Sequence, residues 1–171
     1  MGVTRTFARG ILAVSDRVLH FERAYAHCDI PCGIYDPYLA QVAAHTVIRM
    51  DMLIAEAAQA TPADANARNK MIRYVSTKEQ HAELVKHEVR VIWGDYMKQE
   101  HAQANPQMHQ LVWDIMKAAS KAKQDVSIDS GKELLGKVQE FAELFWKTKA
   151  VKTVRVKSPY PSGGELVYPK L

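Results

Sequence analysis

Only two cysteines occur in the 171 residues, too few for the disulfide framework of a small secreted domain. Their spacing, Cys28 to Cys32, is not the C-x-x-C of a thioredoxin-like centre. No stretch is long or apolar enough to span a bilayer, which takes about 20 mostly apolar residues. Glu-x-x-His is absent, and with it the helix signature of a carboxylate-bridged di-iron bundle. A basic body is lacking too. The formal charge of +4 comes from the ends. Arg5, Arg9, Arg17 and Arg23 outnumber Asp16 and Glu22 in residues 1–26, and Lys152, Arg155, Lys157 and Lys170 outnumber Glu165 in residues 150–171. That leaves residues 27–149 at −1, without the footprint that phosphate binding needs, so no nucleic-acid partner is expected.

The N-terminal segment is short of one more thing. Ala24-Tyr25-Ala26 looks like a signal-peptidase site, but Gly10-Ile11-Leu12-Ala13-Val14 falls well below the ~7–15 apolar residues of a secretory core and meets Asp16 and Arg17 at once. Residues 1–26 therefore read as a short amphipathic segment and not as a secretory signal, which favours a cytoplasmic protein, with no membrane partner.

What is present is helical periodicity. With 47% hydrophobic residues, the chain has enough apolar surface for one domain with a real core. Asp36-Pro37 is an N-cap acid followed by proline, and Leu39, Val42, Ala43, Val47, Met50 and Ile54 follow at helical spacing up to a stop near Thr61-Pro62. A second helix runs from about Ala67 to Met97. A third opens at Asn105-Pro106, and a fourth follows Asp129-Ser130. Short polar links make neighbours antiparallel, which predicts an all-α, up-down four-helix bundle over residues 38–149. Burying about twenty large apolar side chains, at ~1.5–3 kcal/mol each, suffices without a metal. Residues 150–171 form an extension whose Val151–Lys157 stretch alternates like a strand that straps across a neighbour.

The chemistry concentrates in His27-Cys28-Asp29-Ile30-Pro31-Cys32-Gly33-Ile34-Tyr35. If the chain is cut after Ala26, His27 gains a free α-amine. That nitrogen and the Cys28 amide nitrogen are two carbons apart, as are the Cys28 amide and its own sulfur, so one metal closes two fused five-membered rings. Cys32, returned by the turn through Pro31 and Gly33, supplies the fourth corner of an N2S2 plane. The His27 imidazole reaches an axial position. Square-planar nitrogen and sulfur donors select Ni(II) or Cu(II), whereas zinc prefers a tetrahedron. A deprotonated amide and two thiolates also bring a higher oxidation state of nickel within reach. A surface turn with free or disulfide-linked cysteines is the plainer alternative.

This run resembles the HCxxPCGxY hook of the nickel superoxide dismutase family. The likeness extends through Lys78-Glu79-Gln80-His81-Ala82-Glu83-Leu84, Trp93-Gly94-Asp95-Tyr96-Met97-Lys98 and Phe145-Trp146-Lys147-Thr148-Lys149. It implies a propeptide removed by a dedicated protease, a hook over residues 27–37, one nickel ion per subunit and a homohexamer, with a nickel-delivery factor as a further partner. The implied reaction is disproportionation of superoxide to oxygen and hydrogen peroxide with Ni(II)/Ni(III) cycling. His27, Cys28 and Cys32 are the implied metal ligands. Tyr35 is carried over to the opening through which small anions approach, Asp29 to the pocket border, with turn stabilisation as its alternative, and Lys98 to anion guidance, with a solvated surface charge as its alternative. A non-catalytic nickel or copper delivery protein would use the same hook but would need an accessible site.

Two departures stand out. The family's glutamate and arginine that hydrogen-bond the axial imidazole correspond here to Ala43 and His81. Such partners orient a metal-bound histidine and set its basicity, so His81, or His45, is expected to take over. His87, His101 and His109 read as surface or packing residues, and Met71, Met108 and Met116 as core.

Overall fold

The computed structural model describes residues 33–59 and 64–171. Its helices are α1 (Tyr38–Ala58), α2 (Ala65–Val91), the short α3 (Gln99–Ala104), α4 (Met108–Gln124) and α5 (Ile128–Thr148), followed by strands β1 (Thr153–Lys157) and β2 (Glu165–Pro169). The four long helices pack in the cyclic order α1, α2, α4, α5 and back to α1. Three residues separate α4 from α5, a link so short that the chain must reverse. The expected four-helix bundle is therefore present, and a two-stranded antiparallel hairpin is added to it.

Three of the long helices start beside a capping side chain, whereas α4 begins at Met108, after the expected Asn105-Pro106 start, with no side-chain cap. The Asp36 carboxylate accepts the Tyr38 amide at 2.8 Å, Asp64 caps α2 through the Ala67 amide at 2.7 Å, and Ser127 caps α5 through the Ser130 amide at 3.2 Å. The last start lies slightly ahead of the Asp129-Ser130 signal. The expected second helix is interrupted: α2 gives way at Ile92–Tyr96 to one π-helical turn, and α3 then intervenes before α4. Such wider turns re-aim the side chains they carry, and Tyr96 is one of them.

The core holds Ala40, Ala44, Val47 and Ile48 from α1, Val85 and Val89 from α2, Met108 and Ile115 from α4, and Leu134, Val138, Phe141 and Phe145 from α5. Small residues on α1 allow close approach. At Gly131 an added Cβ would sit 2.8 Å from the Ile48 side chain, so only glycine lets α1 and α5 meet there. Among the core groups, Lys78 (2% exposed) donates to Asp51 (0% exposed) at 3.0 Å and to the Asp125 carbonyl, joining α1, α2 and the α4–α5 link. Burial raises the Asp51 pKa, against the opposing pull of Lys78. Removing one member would leave the other charge buried and cost about 3–5 kcal/mol.

The extension folds onto α1 and α5 of its own chain. The Gln41 side chain imitates a missing strand, donating to the Val167 carbonyl at 3.0 Å and accepting the Val167 amide at 2.7 Å. Gln139 donates to the Glu165 carbonyl at 2.6 Å, and Arg155 pairs with Glu143 at 2.7 Å. Leu166 and Val167 are buried beneath. Gly163 and Gly164, with φ of +68° and +74°, make the turn that residues with a Cβ adopt only at a cost.

Candidate metal centre

The expected ligands His27, Cys28 and Cys32, and Asp29 with them, lie outside the described residues. The hook's last residues do not. Gly33 has φ +84° with open space around its missing Cβ, so backbone conformation, not crowding, calls for glycine directly after Cys32. Ile34 is 77% exposed. Tyr35 is half-buried, its ring 5.6 Å from that of Tyr96.

Tyr96 is the seat of this end of the bundle. Its ring stacks on His101 at 5.3 Å and 21° and tilts against Phe145 at 5.0 Å. Its hydroxyl meets Thr148 Oγ1 at 2.9 Å, and Lys149 Nζ lies 5.1 Å from its centroid. A cation over an aromatic face is attracted by the ring quadrupole, so the platform carries positive charge at its edge. The π-helical turn delivers Tyr96 to this position. Lys98 follows two residues later; it is exposed, and its backbone amide donates to His101 Nδ1 at 3.1 Å. Periodicity alone placed Tyr96 on the packing face of a continuous helix, and only the Trp93–Lys98 segment hinted at more.

The two histidines expected to support His27 differ sharply. His45 is buried, with Nε2 3.1 Å from the Glu165 carbonyl and Nδ1 2.8 Å from Ser162 Oγ. A carbonyl only accepts, so Nε2 carries the proton, and in the neutral ring Nδ1 accepts from the Ser162 hydroxyl. Burial lowers the His45 pKa, against the raising effect of the Glu165 carbonyl. With both nitrogens engaged by the hairpin, His45 has none to offer another imidazole. His81 differs: its Nδ1 donates to the Thr77 carbonyl at 2.8 Å, and among the described residues its Nε2 has no hydrogen-bond partner. Ala43 is buried in the core.

Near Tyr35, three phenols converge. Tyr38 and Tyr160 hydroxyls lie 3.0 Å apart, and the Tyr38 and Tyr168 rings are 5.8 Å apart. The bond to Tyr38 is the main cause that pushes the Tyr160 pKa up to about 12, and burial is the main cause that raises that of Tyr168. Both therefore stay protonated at neutral pH. Among the described residues no group of three or more His, Cys, Asp or Glu side chains is arranged to hold a metal ion, and no helix is long and apolar enough to cross a membrane.

Comparison with known proteins bears on the same residues. The family model described as nickel-containing superoxide dismutase matches residues 22–149. Superoxide dismutase (Ni) of Streptomyces coelicolor is 40% identical over 124 residues, spanning 72% of this chain and 88% of that protein. Its counterpart from Streptomyces seoulensis is 38% identical over the same length and shares. The native 1.30 Å structure of nickel superoxide dismutase matches with a TM-score of 0.62 at 38% identity, covering 72% of this chain and 99% of that one. The nickel-containing enzyme with oxidized-state nickel ligation matches with a TM-score of 0.63 at 36% identity and the same coverage. The family match stops at residue 149, before the hairpin begins.

Proposed function

This chain belongs to the nickel-containing superoxide dismutase family, and we propose that residues 27–35, exposed by removal of residues 1–26, are its metal-holding and substrate-admitting hook. The protein is an enzyme, a superoxide dismutase with a nickel cofactor. Two superoxide anions and two protons become oxygen and hydrogen peroxide. The observation that carries the residue assignment is the run His27-Cys28-Asp29-Ile30-Pro31-Cys32-Gly33-Ile34-Tyr35, which lies inside the matched segment.

The donor set fits the metal. The His27 α-amine and imidazole, the Cys28 amide and the Cys28 and Cys32 thiolates would hold the metal, a nitrogen and sulfur donor set suited to nickel. When bound, nickel supplies one-electron chemistry between Ni(II) and Ni(III). The protein residues do the rest. Tyr35, seated on Tyr96, narrows the approach to small anions and shields the thiolates from bulkier oxidants, which matters because thiolates beside peroxide oxidise stepwise. Asp29 borders the pocket, and the Lys98 ammonium draws anions towards it. His81, whose Nδ1 is turned to the Thr77 carbonyl, is the residue that supports the His27 imidazole, through its Nε2.

A nine-residue hook cannot bury itself, so adjoining copies order it, in a homohexamer. A maturation protease frees His27, a delivery factor supplies nickel, and the protein works in the cytoplasm, since residues 1–26 lack the apolar core of a secretory signal. Native mass spectrometry combined with a superoxide assay tests this reading. Loss of residues 1–26, one nickel per chain and dismutation are expected; an active protein that retains residue 1 would overturn it.

A further inference from the structure

The hairpin forms one side of a cleft of about 520 Å³. Val167, Tyr168 and Pro169 of β2 line that side, and Ile34, Tyr35 and Asp36, the residues that lead out of the hook, line another. The geometry points to Tyr168 as a positioning residue for the metal site: through it, the extension fixes the direction in which the hook leaves the bundle. This rests on the reading of residues 27–35 as the nickel hook.

Three observations carry it. First, β2 is a fixed wall. Gln41 clamps both backbone groups of Val167, while His45 and Gln139 converge on the Glu165 carbonyl. Amide-to-backbone pairs of this kind, made from buried residues, hold orientation as a strand ladder would. Second, a short line of contact runs from that wall to the hook. The Tyr168 ring packs on Tyr38, Tyr38 is also tied to the hairpin through Tyr160, and the Tyr38 amide is held by Asp36, the neighbour of Tyr35. Third, Cys32 is only two residues from Ile34. At ~3.3–3.6 Å per residue its Cα stays within about 7 Å of the Ile34 Cα however the hook turns, so a wall at Ile34–Asp36 bears directly on a ligand-bearing residue.

A purely structural hairpin would stabilise α1 and α5 and leave the hook untouched. The two roles separate in the full-length chain without nickel, with Cys28→Ser and Lys132→Cys introduced and spin labels on Cys32 and position 132. Pulsed electron spin resonance then reads the spread of the hook relative to α5. Tyr168→Ala is expected to broaden that distance distribution by about twofold or more, whereas Tyr168→Phe, which keeps the ring, retains the original width. Helical circular dichroism is the control, and Tyr168→Leu replaces the alanine variant if that variant loses helix. Equal widths in all variants would overturn the inference. In the processed, nickel-loaded enzyme the same alanine change is expected to shift the nickel resonance signature and raise KM more than it lowers kcat. Failure of the unaltered chain to bind nickel would sink the hook reading instead and leave the distance result standing.

Discussion

The hook and the hairpin meet at one cleft from opposite ends of the chain, and the bundle holds them in opposite ways. Hook residues Gly33 and Ile34 are exposed, and Tyr35 rests on Tyr96 through an aromatic contact. The hairpin is fastened through Gln41, His45, Gln139 and Arg155 and buries Leu166 and Val167. A segment that must wrap a metal needs freedom until the metal arrives. A wall that aims it needs none. On the proposed reading the hook carries the reaction and the hairpin its direction, so changes to the two should separate cleanly in experiment.

The sharpest break comes at the hook. Cys32→Ser removes a thiolate from the donor set; loss of bound nickel and a fall in dismutation of at least about a thousandfold are expected, with little change in the melting temperature, because the core is built without the metal. Elemental analysis, a superoxide assay and a thermal melt check the three parts. The opposite pattern is expected for Gln41→Leu, which leaves the Val167 N–H and C=O buried without partners. At ~1–3 kcal/mol for each unsatisfied group, denaturant unfolding should show a loss of about 2–4 kcal/mol while nickel content stays at one per chain. If Gln41→Leu abolished nickel binding outright, the division between the two regions would fail.

The smallest effect expected is a pH dependence confined to the hairpin side. An unfolded histidine takes up its proton near 6.5, and burial holds folded His45 below that value. The unfolded chain then binds more protons in the interval between, so stability is complete above about pH 6.5 and declines as pH falls from there towards the lowered folded pKa. Protonation would also remove the acceptor that Ser162 uses. Melting curves between pH 7.5 and 5.5 should fall by a few degrees more for the unaltered protein than for His45→Gln. Parallel curves would remove His45 from the account.

These regions also differ in how far they could be read beforehand. The four helices and their Asp36-Pro37 start were visible because caps and apolar spacing are local signals. The hook's proposed donor atoms rest on a local signal too: they are neighbours along the chain. The π-helical turn at Ile92–Tyr96 was not, since its residues continue an ordinary apolar pattern and only packing beneath Tyr35 gives it meaning. The hairpin's docking was hidden altogether. Gln41 and Val167 are 126 residues apart, and nothing in either neighbourhood announces the other. His45, one helical turn's reach away, is the alternative support that the sequence offers for His27, but its partners are Ser162 and Glu165. The roles of His27, Cys28, Cys32, Asp29, Tyr35 and Lys98 rest on the hook's chemistry and on the family resemblance.

The central claim is that a freed α-amine at His27 completes the metal's donor set. A variant whose mature chain begins with one extra alanine before His27 changes that nitrogen into an amide and alters nothing else. Nickel-loaded samples of the two forms, compared in a superoxide assay at equal protein concentration, give the answer. The account requires activity to collapse with the added residue, and undiminished turnover would contradict it.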